Sequence, residues 1–191
     1  MSPLSSVAHV GAVAARLCLV LLVVAGLADG DRTAAVLGAV FAVLSYGVSR
    51  IAPPVLDLCL ALLLLAHGWG SLLGPADDIH AWGPAMHVLV PVVVGAILVT
   101  AAAEGRGGLR PHSLGAALVV GFAVSLVVLV GWEVLEQTIN RLPGVHVQAD
   151  RGDTIEDLRL GITGAAAGCA AALAGLALSR RRPREPGAAG P

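Results

Sequence analysis

Six long apolar segments constrain the fold of this chain more than any other feature. They lie at about 8–28, 33–49, 53–74, 84–103, 113–136 and 157–179. A helix that crosses the hydrocarbon core of a bilayer needs roughly 20 mostly apolar residues. Because the connections are short, consecutive helices should run antiparallel and pack as a bundle. The sequence therefore predicts an all-α, polytopic transmembrane bundle of about six helices, forming a single domain over residues 1–179.

The composition supports a membrane protein and gives no sign of a nucleic-acid partner. The chain of 191 residues is 57% hydrophobic and 13% charged, whereas soluble domains are about 25% charged. A net charge of -1 lacks the basic excess that nucleic-acid binding requires. The three cysteines lie inside apolar segments, without the spacing of a zinc knuckle or a disulfide framework. The expected partner is the lipid bilayer, and the oligomeric state is left open.

The first apolar segment has two interpretations. Arg16, the apolar run after it and the small residues Gly26 and Ala28 resemble a secretory signal peptide with a cleavage site. The residues before Arg16 are also apolar, however, and five more apolar segments follow. The sequence therefore favours a first helix that stays in the mature protein.

The arginines predict the orientation of the bundle. Short cytoplasmic loops carry an excess of arginine and lysine. The alternate connections and the tail on one side carry seven arginines, against three on the other side. The larger group is Arg50, Arg106, Arg110, Arg180, Arg181, Arg182 and Arg184, and the smaller is Arg32, Arg141 and Arg151. Both termini are therefore predicted to be cytoplasmic, with residues 180–191 forming a disordered, Arg/Pro-rich tail.

Glu133 and Glu136 form the first half of a candidate site at the end of the fifth segment. They are three residues apart, so they share one helix face. Trp132 beside them is expected to anchor at the lipid interface. One interpretation is a polar stripe directed into the bundle. The other is that the helix ends here and its last turn is wet.

Asp153 and Asp157 form the second half, at the start of the sixth segment. They are four residues apart and would also share a face. An ordinary explanation exists for Asp153, which could be an N-cap with Glu156 in a capping box. His87 follows Pro84 at the head of the fourth segment and falls at the same depth as the acids. An isolated histidine near a helix end is usually a satisfied polar group.

Two further features are predicted to be structural. Asp57, near the start of the third segment, is expected to form an ion pair with Arg50. Gly164 and Gly168 form a small-xxx-small pattern that permits close helix packing. Such packing is expected within the chain rather than between two copies.

Together these side chains could form a divalent-metal site on the outward side. The candidate ligands are His87, Glu133, Glu136, Asp153 and Asp157. One imidazole among carboxylates suits Mg, Mn, Zn or Fe and does not choose among them. Such a metal could activate water to cleave a bond in an envelope lipid or lipid-linked substrate, with Glu133 and Glu136 as candidate bases. The same acids could instead carry cations or protons in transport, or form the polar latch of a non-catalytic scaffold.

The segments WEVLEQ and RGDTIEDLRLGITGAAAG resemble the signature of the YjdF-like family of bacterial inner-membrane proteins, whose function is unknown. Its W-E-x-x-E and D-T-x-x-D-L runs, and a histidine at a helix head as in AWGPAMHVLVP, assign all five candidate residues to the family's polar positions. The resemblance covers residues 75–170 and implies a bacterial cytoplasmic-membrane location, but no reaction. Pro84 and Gly161 stand where the family often has polar residues, so Asp77 or Asp78 could supply a missing ligand.

Overall fold

The described part of the chain is entirely helical. The computed structural model describes residues 3–73, 81–108, 111–145 and 151–181. Its helices are α1 (Pro3–Asp29), α2 (Arg32–Ser49), α3 (Pro54–Leu73), α4 (Trp82–Ala103), α5 (Leu114–Ile139) and α6 (Arg151–Arg181), with a short 3-10 helix at Arg106–Gly108. Within these ranges there are six α-helices and no strand, so the predicted fold class is confirmed.

Five of these helices are long and apolar enough to cross a membrane. They are α1, α2, α4, α5 and the part of α6 from Thr154 to Arg181, while the apolar part of α3 is shorter, at Pro54–Gly70. The surface is as apolar as the segments predict, and Leu4, Val10 and Leu27 of α1 are each more than 60% exposed. Exposed aliphatic stripes of this size are unfavourable in water and suit contact with lipid. The chain is a multi-pass helical membrane protein.

Hydrogen bonds between loops define two ends of the bundle. At one end Arg32 donates to the carbonyl of Pro143 at 3.0 Å, which joins the start of α2 to the residues after α5. At the other end Arg106 donates to the carbonyl of Ala52 at 3.3 Å, which joins the α2–α3 and α4–α5 connections. We call these the Arg32 end and the Arg106 end. The connections at each end are the same ones that the count of arginines places together on one side of the bundle.

The bundle consists of two halves, each built from three consecutive helices. α1 packs against α2 and α3, and α4 packs against α5 and α6, with α3 and α4 in contact between the halves. A core of buried side chains, including Leu19, Phe41, Leu64 and Ile97, extends from the first half into α4. The candidate site lies in the second half.

The α4–α6 pair is the most closely packed, because glycines let the backbones approach. A Cβ added to Gly164 would lie 2.3 Å from the carbonyl oxygen of Val88, and one added to Gly168 would lie 1.9 Å from that of Val92. Neither position can hold a larger side chain without separating the helices. The predicted use of this glycine pair within the chain is confirmed.

The predicted ion pair between Asp57 and Arg50 is wrong. Arg16 of α1 reaches Asp57 instead, and it also donates to Ser45 Oγ at 3.1 Å and to the Ser45 carbonyl at 3.2 Å. The Arg50 guanidinium lies over the Tyr46 ring, 5.3 Å from its centroid. Asp57 and Ser45 are buried. A buried carboxylate needs a cation close by, and α1 supplies one from inside the bundle whereas Arg50 lies at its edge.

Candidate functional site

The two glutamates of α5 are buried. Glu133 is 6% exposed and Glu136 is 3% exposed. α5 continues past them to Ile139, three residues beyond its predicted end. The interpretation of a wet last helical turn is therefore wrong, and both carboxylates face the interior of the bundle. A buried carboxylate is costly unless a partner compensates its charge.

Trp132 also belongs to the interior. Its ring stacks on Phe41 of α2 with centroids 5.5 Å apart and an interplanar angle of 22°. The side chain is half-buried and interacts with the Glu136 carboxyl group. Trp132 thus packs across the bundle on one face of its ring system, and its role as an anchor at the lipid interface stays a prediction.

α4 and α6 add a histidine and a second type of acid to these glutamates. His87 lies in the second turn of α4, and its Nε2 is 3.5 Å from Oδ2 of Asp157. The two side chains are 16% and 15% exposed. Since α6 begins at Arg151, earlier than predicted, Asp157 lies well inside the helix and is not an end-capping residue.

His87, Glu133 and Asp157 each offer a ligand atom, and these atoms all lie within 4.8 Å of one another. Glu136 lies beside this triad and interacts electrostatically with Glu133 and Asp157. Its Oε2 atom is buried and has no hydrogen-bond partner among the described residues. Three acids and one imidazole converge here from three helices, which is the type of donor set that binds a divalent cation.

Two glycines of α6 allow close packing next to the acids. Gly161, one turn from Asp157, leaves room for the Leu129 side chain of α5, whose Cδ2 would lie 2.7 Å from an added Cβ. Gly164, one turn further, lets the α6 backbone approach the α4 backbone at Val88, the neighbour of His87. Helical geometry then carries Asp157 to the same level as His87 and Glu133. A polar bridge, Gln137 Nε2 to Thr154 Oγ1 at 3.3 Å, also joins α5 to α6.

Some predicted residues are not part of this triad. Asp153 lies in the first turn of α6 rather than at its cap, so the capping-box interpretation is wrong. The side chain of Asp153 lies outside the described part of the chain. So do Asp77 and Asp78, the suggested replacement ligands.

His67 of α3 is a neighbour of the site that no sequence motif indicates. Its ring centroid lies 5.3 Å from that of Phe41, and it interacts electrostatically with His87. His67 therefore lies next to the site, on the side of the first helical half. No local sequence pattern indicates this position of His67. It lies in α3 of the first half, and only the packing of the two halves brings it next to His87 of α4.

Comparisons with known protein families, curated proteins and solved structures found no match to this chain. The fold and the site define the general class of the protein: a multi-pass helical membrane protein with a buried His/Glu/Asp group near one end of its second half.

Proposed function

We propose that this protein is a metal-dependent membrane hydrolase. His87, Glu133 and Asp157 hold a divalent cation, Glu136 acts as the general base, and the substrate is an envelope lipid or a lipid-linked molecule. The observation that carries the proposal is the convergence of three potential ligand atoms within 4.8 Å, inside a helical membrane protein.

The distances suit a metal ion after a small contraction. Two ligands on one Zn²⁺ ion, each at roughly 2.1 Å from it, are at most about 4.2 Å apart. The His87–Asp157 distance of 3.5 Å already satisfies this limit, and the widest separation of 4.8 Å needs only a small side-chain movement. A donor set of one imidazole and two carboxylates suits Zn, Mn or Fe and also accepts Mg.

The charge of the site supports a bound cation. Glu133 and Glu136 are almost completely buried, and Asp157 lies close to both. Like charges in a low-dielectric interior repel strongly, and each loses its hydration. A divalent ion between them would replace the repulsion by attraction and offset much of the lost hydration.

The arrangement supplies the parts of a hydrolytic reaction. A cation makes its bound water more acidic, and Glu136 would accept the proton that this water loses. The resulting hydroxide would attack the phosphorus or carbonyl carbon of the substrate, forming a new bond to oxygen. The bond to the leaving oxygen would then break, and Glu136 would return its proton to that oxygen.

A non-catalytic scaffold is the second candidate, and specific contacts favour it. The His87–Asp157 pair at 3.5 Å and the Gln137–Thr154 hydrogen bond at 3.3 Å join α4, α5 and α6 without any ion. In this alternative the cluster is a polar latch that only fixes the helices.

Transport has less support, because a path for ions or protons needs polar groups that continue along the bundle. Ser125, a buried polar residue two turns below Glu133, instead donates its hydroxyl hydrogen bond to the Gly121 carbonyl of its own helix.

The proposed location is the bacterial cytoplasmic membrane, with both termini in the cytoplasm and the site near the outward side. The arginine excess supports this orientation. The hydrogen bonds of Arg32 and Arg106 support the grouping of loops on which the count depends. The bacterial location depends on the YjdF-like resemblance.

We expect the purified protein to bind one equivalent of Zn, Mn or Fe through the triad. Asp157→Asn and Glu133→Gln should each weaken binding at least about 100-fold, because loss of even an outer-shell partner costs 10–100-fold. Metal content after dialysis against a limiting chelator, measured by plasma mass spectrometry, tests this expectation.

Glu156→Gln is the matched control, since Glu156 neighbours Asp157 in α6 but is exposed. It should bind metal as the wild type does. A wild type without metal would remove the metal site. A loss of stability in Asp157→Asn and Glu133→Gln, but not in Glu156→Gln, would then support the latch.

Glu136→Gln should separate binding from chemistry. The variant keeps the triad, so its metal content should stay within about tenfold of the wild-type affinity. Hydrolysis should fall about 10²–10⁴-fold, as expected for loss of a general base. Turnover of phosphorylated and esterified lipids in detergent micelles measures this effect. Equal turnover by Glu136→Gln and the wild type would exclude Glu136 as the base.

A further inference from the structure

An apolar cavity of about 200 Å³ lies beside the candidate site. Its walls come from α2, α3, α4 and α5, with Ala165 contributing from α6, and most of the lining side chains are aliphatic. Polar lining is provided by His67, His87, Trp132 and Ser125. Because His87 belongs both to the cavity lining and to the triad, the cavity lies directly beside the site.

The cavity is long in the direction of the helices. Along α4 its lining extends from Met86 and His87 to Ile97 and Leu98. At 1.5 Å per residue, the ten residues from His87 to Ile97 correspond to roughly 15 Å. The site is therefore at one end of an apolar space that extends toward the Arg106 end, deep in the membrane-spanning part of the bundle.

The bundle is open to the lipid between α2 and α5. Among the described residues, no Cα of α2 lies within 8 Å of a Cα of α5. Leu44 of α2 and Val128 of α5 both line the cavity, yet they are 41% and 45% exposed. The Phe41–Trp132 stack closes this gap only near the site. The cavity is thus accessible from the side that contacts the hydrocarbon core of the bilayer.

We propose that this cavity binds one hydrocarbon chain of a membrane lipid, which enters laterally between α2 and α5. The chain lies along α4, and its polar attachment point then lies beside His87. The identification of this lipid as the substrate rests on the proposed function, whereas the binding of the chain itself does not. The hydrocarbon is either a fatty acyl or a polyprenyl chain, since both have the same apolar chemistry.

The shape and chemistry of the cavity exclude other occupants. Ordered water needs two to four polar partners, which the aliphatic walls along Val90, Val94 and Leu98 do not offer. A helix of a partner protein has a diameter of about 10 Å with its side chains, too wide for a space of about 200 Å³. A lipid chain is thin, apolar and present at high concentration at the opening. It therefore fits both the walls and the surroundings.

Photocrosslinking tests this proposal with the intact protein in vesicles of phosphatidylglycerol and phosphatidylethanolamine. One probe is a phosphatidylglycerol with a diazirine in one acyl chain, and the other is a diazirine-labelled polyprenyl phosphate. We expect at least one probe to label cavity residues such as Met86 and Leu64. Labelling by only one of them identifies the type of chain.

Val94→Phe fills the cavity from α4 and should lower this labelling by about tenfold or more, because an overpacked site admits no further chain. Leu98→Phe, one turn along α4, serves the same purpose if Val94→Phe does not fold. Val119→Phe is the matched control, since Val119 is 68% exposed and faces away from the cavity. It should leave the labelling unchanged.

The outcomes separate this proposal from the metal site. Labelling of Met86 and Leu64 that persists in Asp157→Asn, or in a wild type that binds no metal, supports the chain site and leaves only the hydrolase in question. Labelling confined to lipid-facing residues such as Val127, or equal cavity labelling in wild type, Val94→Phe and Leu98→Phe, would overturn it, even if the triad binds metal with full occupancy.

Discussion

Gly168→Ala should destabilise the folded protein by about 3 kcal/mol, the upper end of the usual cost of overpacking. The added Cβ would lie 1.9 Å from the carbonyl oxygen of Val92. Because both atoms belong to backbones or are fixed to them, no side-chain rotation relieves this contact. The two helices must separate, which loses packing along the whole α4–α6 pair. The free energy of unfolding in mixed micelles, from an SDS titration followed by circular dichroism, measures the effect.

Gly175→Ala makes the same substitution in the same helix without the contact. Gly175 is exposed, and a Cβ added there meets no atom within 4 Å. This variant should be unchanged or up to about 1 kcal/mol more stable, since alanine is the better helix former. Equal unfolding free energies for Gly168→Ala and the wild type would mean that α4 and α6 do not pack as closely as described.

Gly168→Ala should also weaken metal binding at the proposed site. Separation of α6 from α4 would move Asp157 away from His87, whose atoms now lie 3.5 Å apart. The close packing of α6 on α4 at Gly168 thus also keeps Asp157 near His87.

Local spacing predicted the parts of the site but not their assembly. The three-residue spacing of Glu133 and Glu136 indicated one helix face, and the depth of His87 indicated the same level as the acids. The structure brings His87, Glu133 and Asp157 together. That convergence depends on how closely three helices approach, which Gly161 and Gly164 determine through contacts with residues far away in the sequence.

Pairwise contacts across the bundle were the hardest features to predict. Closeness in sequence favours Arg50 as the partner of Asp57, but the partner is Arg16, 41 residues away. The position of Trp132 at a helix end gives no sign of its stack on Phe41 of a non-adjacent helix. Hydrophobic segments define helices and their order, whereas the rotation of each helix about its axis decides these partners.

Arg16→Met should destabilise the protein by about 3–5 kcal/mol, the usual cost of removing one partner of a buried ion pair. The substitution leaves Asp57, which is 5% exposed, without its guanidinium. It also removes two hydrogen bonds to Ser45 and so loosens α1 from α2 and α3. Arg50→Met is the control, since the exposed Arg50 lies over the exposed Tyr46 and should change stability by no more than about 0.5 kcal/mol.

The double variant Arg16→Met/Asp57→Leu should recover most of this loss, because replacing both ionic partners by apolar groups is often neutral or stabilising. A double variant as unstable as Arg16→Met alone would show that the guanidinium acts through Ser45 rather than through Asp57.

The same variants test whether α1 stays in the mature protein. If the first segment were removed as a signal peptide, the mature protein would lack Arg16, and Arg16→Met would leave its stability unchanged. A loss of stability therefore requires that α1 remains and that its arginine neutralises Asp57 within the bundle.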